Sequence, residues 1–301
     1  MFYLVALLIG VLISVMIAIN GELTFLYGVF AATVIIHIVG SLFAYLAIKV
    51  LGKKITFPGL PLLFYSGGAV GVFVAVANNF SYGKISLTSI IALVLLGQAL
   101  ASILIDSLGL FGMPRHPFQK SSLIGLLFSG AGIAIMLDHS VTEGIYAVIL
   151  SLTAGFGVVY SRTVNAKLAE KVGDLQGSLI NHLVGLPFSV LALALLGAKE
   201  WNAFSQPISA QIWIYAGGIF GVVLVMLNNG IVPKVSAFVL TLLIFVGQIF
   251  SSIAIDIFGG REYELSSFWG GLLVAAGVSS NLLYDYWTRK KRISSNFPGE
   301  K

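Results

Sequence analysis

Gln98 and Gln248 are amides in the middle of two long apolar runs, 150 residues apart. An amide carries both donors and acceptors. Where water is excluded it must bond a neighbouring helix, a wet cavity or a ligand. His37 and His182 lie in two further apolar runs. An imidazole can change charge between pH 5 and 8, so it suits proton transfer as well as neutral hydrogen bonding to a neighbouring helix. Asn20 and Asn165, Asn78 and Asn228, and Lys84 and Lys234 fall at the ends of apolar runs. Helix caps, snorkelling amines and gate elements are the readings for such positions. Asp106 and Asp256 are also near run ends; a salt bridge, a gate latch and a coupling carboxylate are the alternatives. The candidate substrate contacts are therefore Gln98, Gln248, His37, His182, Asn78 and Asn228. The candidates for coupling or gating are His37, Asp106, Asp256, Lys84, Lys234, Asn20 and Asn165.

Catalytic chemistry finds little support. There is no cysteine, and no HExxH, GxSxG or paired mid-run carboxylate, which disfavours an enzyme. The glycine-rich runs Gly67-Gly68-x-x-Gly71 and Gly217-Gly218-x-x-Gly221 are not followed by the Lys-Ser/Thr of a phosphate loop. They read as close helix contacts. No cofactor, metal or ATP is expected.

These candidates belong to a repeat. Positions 65–109 and 215–259 share 17 of 45 residues without a gap. Of the 20 polar, Gly or Tyr positions in the first copy 13 match, against 4 of the 25 apolar ones. Apolar residues exchange cheaply in a packed or lipid-facing setting, whereas intramembrane polar groups and glycines are costly or sterically specific. At an offset of 145, Gly10, Asn20, Gly28, His37 and Gly40 match Gly155, Asn165, Gly173, His182 and Gly185. The copies are 1–138 and 144–290, followed by a basic tail at 291–301.

The elements that must hold these residues are transmembrane helices. The chain is 58% hydrophobic and 10% charged, with a mean hydropathy of +0.99. That is far below the roughly 25% charge of a soluble domain. Ten continuous apolar runs are predicted to span a bilayer: 2–20, 28–49, 61–79, 86–108, 121–137, 144–162, 176–197, 211–229, 236–257 and 267–286. An odd number per copy puts the second copy into the membrane with opposite orientation, an arrangement found in secondary transporters. With ten spans, 14 basic residues, Arg162 among them, fall on one side and 3 on the other. The positive-inside rule then places both termini in the cytoplasm. The net charge of +5 is explained by these flanking residues and not by nucleic-acid binding. Met1-Phe2 runs straight into the first apolar segment, so that segment reads as an uncleaved span.

Asn20-Gly21-x-Leu23, Gly28 and His37-x-x-Gly40 are followed by Gly67-Gly68-x-x-Gly71, Asn78-Asn79, Gly97-Gln98, Ser102 and Asp106-x-x-Gly109. Together they resemble the YdcZ-like bacterial membrane proteins of the drug/metabolite transporter superfamily, in a fused form. The resemblance implies a ten-helix transporter with a central substrate path. Two departures are visible. Pro233 stands opposite Gly83, and Met16 and Ser161 stand where many members carry a Gln. The expected function is a secondary transporter of a small metabolite or drug-like solute, working by alternating access, with proton coupling an option. No Asp or Glu lies deep in a span, so a neutral, zwitterionic or anionic solute is favoured over a permanent cation. A channel or scaffold is the alternative, with a membrane-embedded enzyme last. The partners are the solute and the lipid bilayer of the cell membrane; monomer and homodimer both stay open.

Overall fold

The computed structural model describes residues 1–57, 59–81, 84–85, 87–116, 120–137, 140–205, 207–258 and 265–296. Among the described residues, ten helices of 15 residues or more make up the framework. The first five are α1 (Phe2–Tyr27), α2 (Val29–Val50), α3 (Ser66–Ser81), α4 (Leu87–Leu108) and α5 (Lys120–Met136). The second five are α6 (Ile145–Val172), α7 (Asp174–Leu196), α8 (Gly217–Ile231), α9 (Ala237–Phe258) and α10 (Leu265–Asn296). Single 3-10 turns precede α3 at Leu62–Tyr65 and α8 at Ile212–Ala216. Seven stretches among the described residues are long and apolar enough to cross a membrane, and Leu62–Asn78 and Leu123–Met136 are shorter apolar helices. The chain is thus an all-helical, multi-pass membrane protein.

Three boundaries differ from the sequence reading in ways that matter. The runs predicted at 2–20 and 144–162 continue as helix to Tyr27 and Val172. The cause is plain in α6. Beyond residue 162 the helix continues through Thr163-Val164-Asn165-Ala166-Lys167-Leu168-Ala169, mostly small or good helix formers, and all but Lys167 of these are buried. Asn20 and Asn165 therefore lie well inside helices, not at their ends. Arg162, counted above as a flanking base, is a buried residue of α6. The basic tail predicted from 291 begins as a continuation of α10, which runs to Asn296.

α1 and α6 stop where the chain loses its helical option. α1 ends at Gly28 and α6 at Gly173, with φ of 85° and 89° respectively, a region that glycine enters freely. The chain turns back at once, so α2 and α7 begin on the next residue.

The helices pair in a repeating pattern. α1 packs on α9 as α6 packs on α4, and α8 packs on α2 as α3 packs on α7. α2 and α7 pack against each other, as do α4 and α9. The main contacts of α5 and α10 are with each other and with α4 and α9. A large apolar cluster around Leu95, Leu240, Phe245 and Met136 fills the α4, α5, α9, α10 side of the bundle.

Candidate functional site

The motif His-x-x-Gly occurs in α2 as His37-x-x-Gly40 and in α7 as His182-x-x-Gly185. The two helices cross so that each histidine lies on the other helix's glycine. A Cβ at Gly40 would overlap the His182 ring, and one at Gly185 would overlap the His37 ring. The ring centroids are 5.8 Å apart at 52°. Each Nδ1 bonds its own helix four residues back: His37 to the Thr33 carbonyl at 2.8 Å and His182 to the Ser178 carbonyl at 2.9 Å. A carbonyl only accepts, so Nδ1 carries the proton in both rings. In neutral rings this leaves both Nε2 atoms as acceptors. His182 is buried and His37 half-buried.

The glycine-rich runs complete this layer. Gly218 of α8 sits against the α2 backbone at Ile36 and Gly40, and Gly68 of α3 against the α7 backbone at Asn181 and Gly185. The glycine before each makes room for an amide: Asn20 lies over Gly217, and Asn165 over Gly67. Asn165 donates from Nδ2 to Asn181 Oδ1 at 2.8 Å, and Ser161 Oγ donates to the Gly67 carbonyl at 2.8 Å. Asn20 Oδ1 is buried with no partner among the described residues. So the asparagines, the Gly-Gly-x-x-Gly runs and the histidines, separated in sequence, form one interlocked set. This contact between motifs was not legible from spacing alone.

Gln98 and Gln248 are half-buried on α4 and α9, two helices that pack on each other. The preceding glycines allow close crossings. Gly97 meets the α6 backbone at Leu152 and Gly155, and Gly247 meets the α1 backbone at Leu7. Neither glutamine side chain has a protein hydrogen bond among the described residues, though the Gln248 carbonyl accepts from Ser14 Oγ at 2.7 Å. An amide held in this way keeps its full donor and acceptor capacity for another molecule.

The remaining candidates divide. Asn78 Oδ1 is buried without a partner among the described residues, whereas Asn228 donates to its own helix at the Leu224 carbonyl, 2.9 Å away. Lys84 and Lys234 are exposed and lie over the rings of Phe80 and Phe2, the behaviour of snorkelling amines. The Asp256 side chain lies outside the described residues. Asp106 is engaged as a cap rather than in a salt bridge. Its Oδ1 accepts from the Ala237 N–H at 2.8 Å and its Oδ2 from the Phe238 N–H at 2.9 Å. It thereby satisfies the first turn of α9 from a distance of 131 residues in sequence.

Arg162 was missed as a site residue. It is 8% exposed, and its Nη2 donates to Thr241 Oγ1, to the Ala237 carbonyl at 3.0 Å and to Ser102 Oγ at 3.3 Å. Ser102 and Thr241 bond each other at 2.8 Å. The sequence held a sign of this. At the offset of 145, Arg162 aligns with Ile17, well inside the first span. At the other end of the bundle, Glu200 Oε2 accepts from the N–H groups of Phe30 and Ala31 at 2.7 and 3.0 Å, capping α2. Nearby, Tyr27 and Tyr215 bond through their hydroxyls at 2.5 Å. A groove of about 450 Å³ bordered by Val70, Phe73, Leu104, Phe156 and Tyr160 is almost wholly apolar and contains none of the predicted residues.

A multi-pass helical bundle with polar side chains brought together in its interior is the build of a membrane transporter. Residues 1–135 and 146–282 both match the family model described as "Putative inner membrane exporter, YdcZ". The chain belongs to that family, within the drug/metabolite transporter superfamily. No curated protein matches it. A solved structure described as "Crystal structure of protein" shares the fold, with a TM-score of 0.72 and 14% identity over 94% of this chain and 96% of that one.

Proposed function

We propose that this protein is a secondary transporter that moves a small neutral, zwitterionic or anionic solute by alternating access between two inverted repeats, 1–138 and 144–290. The ten helices are its ten spans, and both termini are cytoplasmic. The observation that carries the reading is the reciprocal seating of His37 on Gly185 and His182 on Gly40. Two helices related by a twofold axis in the membrane plane meet in this way, and transporter sites form where such repeats meet. Gln98 and Gln248 contact the solute through their uncommitted amides. His37, the less buried of the pair, carries the coupling proton.

The test begins with a thermal-shift screen of the purified protein against metabolite and drug libraries. Any stabilising compound then goes into proteoliposomes for counterflow. Saturable exchange of labelled for unlabelled solute is expected. Uptake that never saturates and shows no counterflow would instead identify a channel. Gln98→Ala and Gln248→Ala should each weaken binding about five- to 150-fold, the cost of leaving a buried ligand group unpaired. Wild-type affinity in both variants would reduce the two amides to helix glue.

A further inference from the structure

Arg162 is a cation inside a helical membrane bundle, and its hydrogen-bond partners are all neutral; the Asp106 carboxylate acts on it through charge without bonding it. Of its nitrogens, Nη2 alone makes the three bonds to Ser102, Thr241 and the Ala237 carbonyl, while Nε is buried with no partner among the described residues. The one ion pair among those residues is Lys167–Glu170. Asp106, which reaches the same residue Ala237, uses both oxygens on the α9 N–H groups. A guanidinium stays charged in proteins and is built to take carboxylate or phosphate oxygens in pairs. Held in a membrane interior on neutral oxygens, it is costly.

The repeat does not dictate an arginine here, because the corresponding position of α1 is Ile17, which is exposed where Arg162 is buried. The location is suggestive in another way. Ser102 is four residues beyond Gln98 on α4, so it stands one turn along the same face. Arg162 thus lies just beyond the proposed glutamine site.

We propose that Arg162 recognises the anionic group of the transported solute, a carboxylate or phosphate, and that Ser102 and Thr241 stand in for the solute's oxygens in the present conformation. This rests on the carrier reading and narrows its substrate class to organic anions. When α4 and α9 part from α6, the guanidinium exchanges hydroxyl oxygens for the two oxygens of the anion. Two of its N–H donors then hold charged oxygens, a stronger pairing than neutral hydroxyls give.

The experiment uses purified protein in a neutral, lipid-free detergent. Thermal shifts are measured with benzoate, succinate and glycerol 3-phosphate, each against its uncharged counterpart benzamide, succinamide or glycerol. At least one anion should stabilise the wild type where its counterpart does not, a contrast that needs no mutant. Arg162→Gln should weaken that binding about 30-fold or more, as loss of one member of a buried charged pair does. Arg162→Lys should keep part of it. Thr241→Val removes a competing acceptor and should tighten it, an effect a merely structural arginine would not produce. Equal stabilisation by anion and counterpart, or unchanged binding in Arg162→Gln, overturns the assignment. So does an Arg162-dependent shift seen only with phosphatidylglycerol, which would make a lipid the occupant. Counterflow separates the two readings. Arg162-dependent anion binding without exchange sinks the carrier and keeps the anion site. Exchange of an uncharged solute indifferent to Arg162→Gln does the reverse.

Discussion

Single side chains in this bundle differ in whether the protein has already used their hydrogen bonds. Asp106 has spent both carboxylate oxygens on the first turn of α9. Asp106→Ala should therefore act on stability, costing about 0.5–2 kcal/mol as loss of a helix cap does, read as a lower Tm with ligand affinity retained. A variant with normal Tm but no gradient-driven uptake would make it a coupling carboxylate instead. His37 has one ring nitrogen bound to its own helix and the other free for a proton. His37→Ala should leave solute exchange largely intact and abolish accumulation driven by a pH gradient. Accumulation that survives places the coupling group elsewhere. The sequence made His37, Gln98 and Asp106 legible because each recurs in the second copy at a fixed offset. It hid Arg162 because an arginine at the end of a 19-residue apolar run looks like the membrane boundary. Only burial by α4 and α9, more than 50 residues away on either side, marks it as interior.

At the scale of helices, small residues decide which pairs approach and which stay apart. Gly68 and Gly71 share a face of α3, being three residues apart, yet their surroundings are opposite. A Cβ at Gly68 would overlap the Asn181 carbonyl of α7, whereas one at Gly71 would find nothing within 4 Å. Gly68→Leu should thus force α3 off α7 and cost about 1–3 kcal/mol or more, seen as low folded yield or a reduced Tm. Gly71→Leu should be tolerated. Equal damage from both would mean that α3 does not sit on α7 as described. Both glycines read from the sequence as close helix contacts, and only Gly68 is one. Their difference was not legible, since it depends on which turn faces α7. The helix ends were also misjudged, because a 20-residue bilayer estimate says nothing of a helix that continues into protein, as α6 does.

Across the whole molecule the two copies are alike in sequence motifs but not in packing. α8 lies against both α6 and α7, while its counterpart α3 makes no comparable seam with α1 or α2. The segment of α6 around Asn165 is buried, whereas the matching segment of α1 is partly open. Gly21 is exposed with no atom within 4 Å of a Cβ placed there, and its counterpart Ala166 is fully buried. Under the proposed topology, Gly21 lies towards the outside and Ala166 towards the cytoplasm. On the proposed alternating-access mechanism this is the outward-open state, with Arg162, Ser102, Thr241 and Asp106 on its closed side. The chain has no cysteine, so single cysteines report without background. Gly21→Cys should react with a membrane-impermeant maleimide added outside intact cells, and Ala166→Cys in inverted vesicles should not. Arg162→Gln removes three bonds from that closed side. In that background the balance should move, with Ala166→Cys becoming reactive and Gly21→Cys less so. The reciprocity is the essential part, because alternating access links opening on one side to closure on the other. If Gly21→Cys stays unreactive from outside, that face of α1 meets lipid rather than water. If Ala166→Cys gains reactivity while Gly21→Cys keeps all of its own, the two ends open independently and the molecule works as a pore.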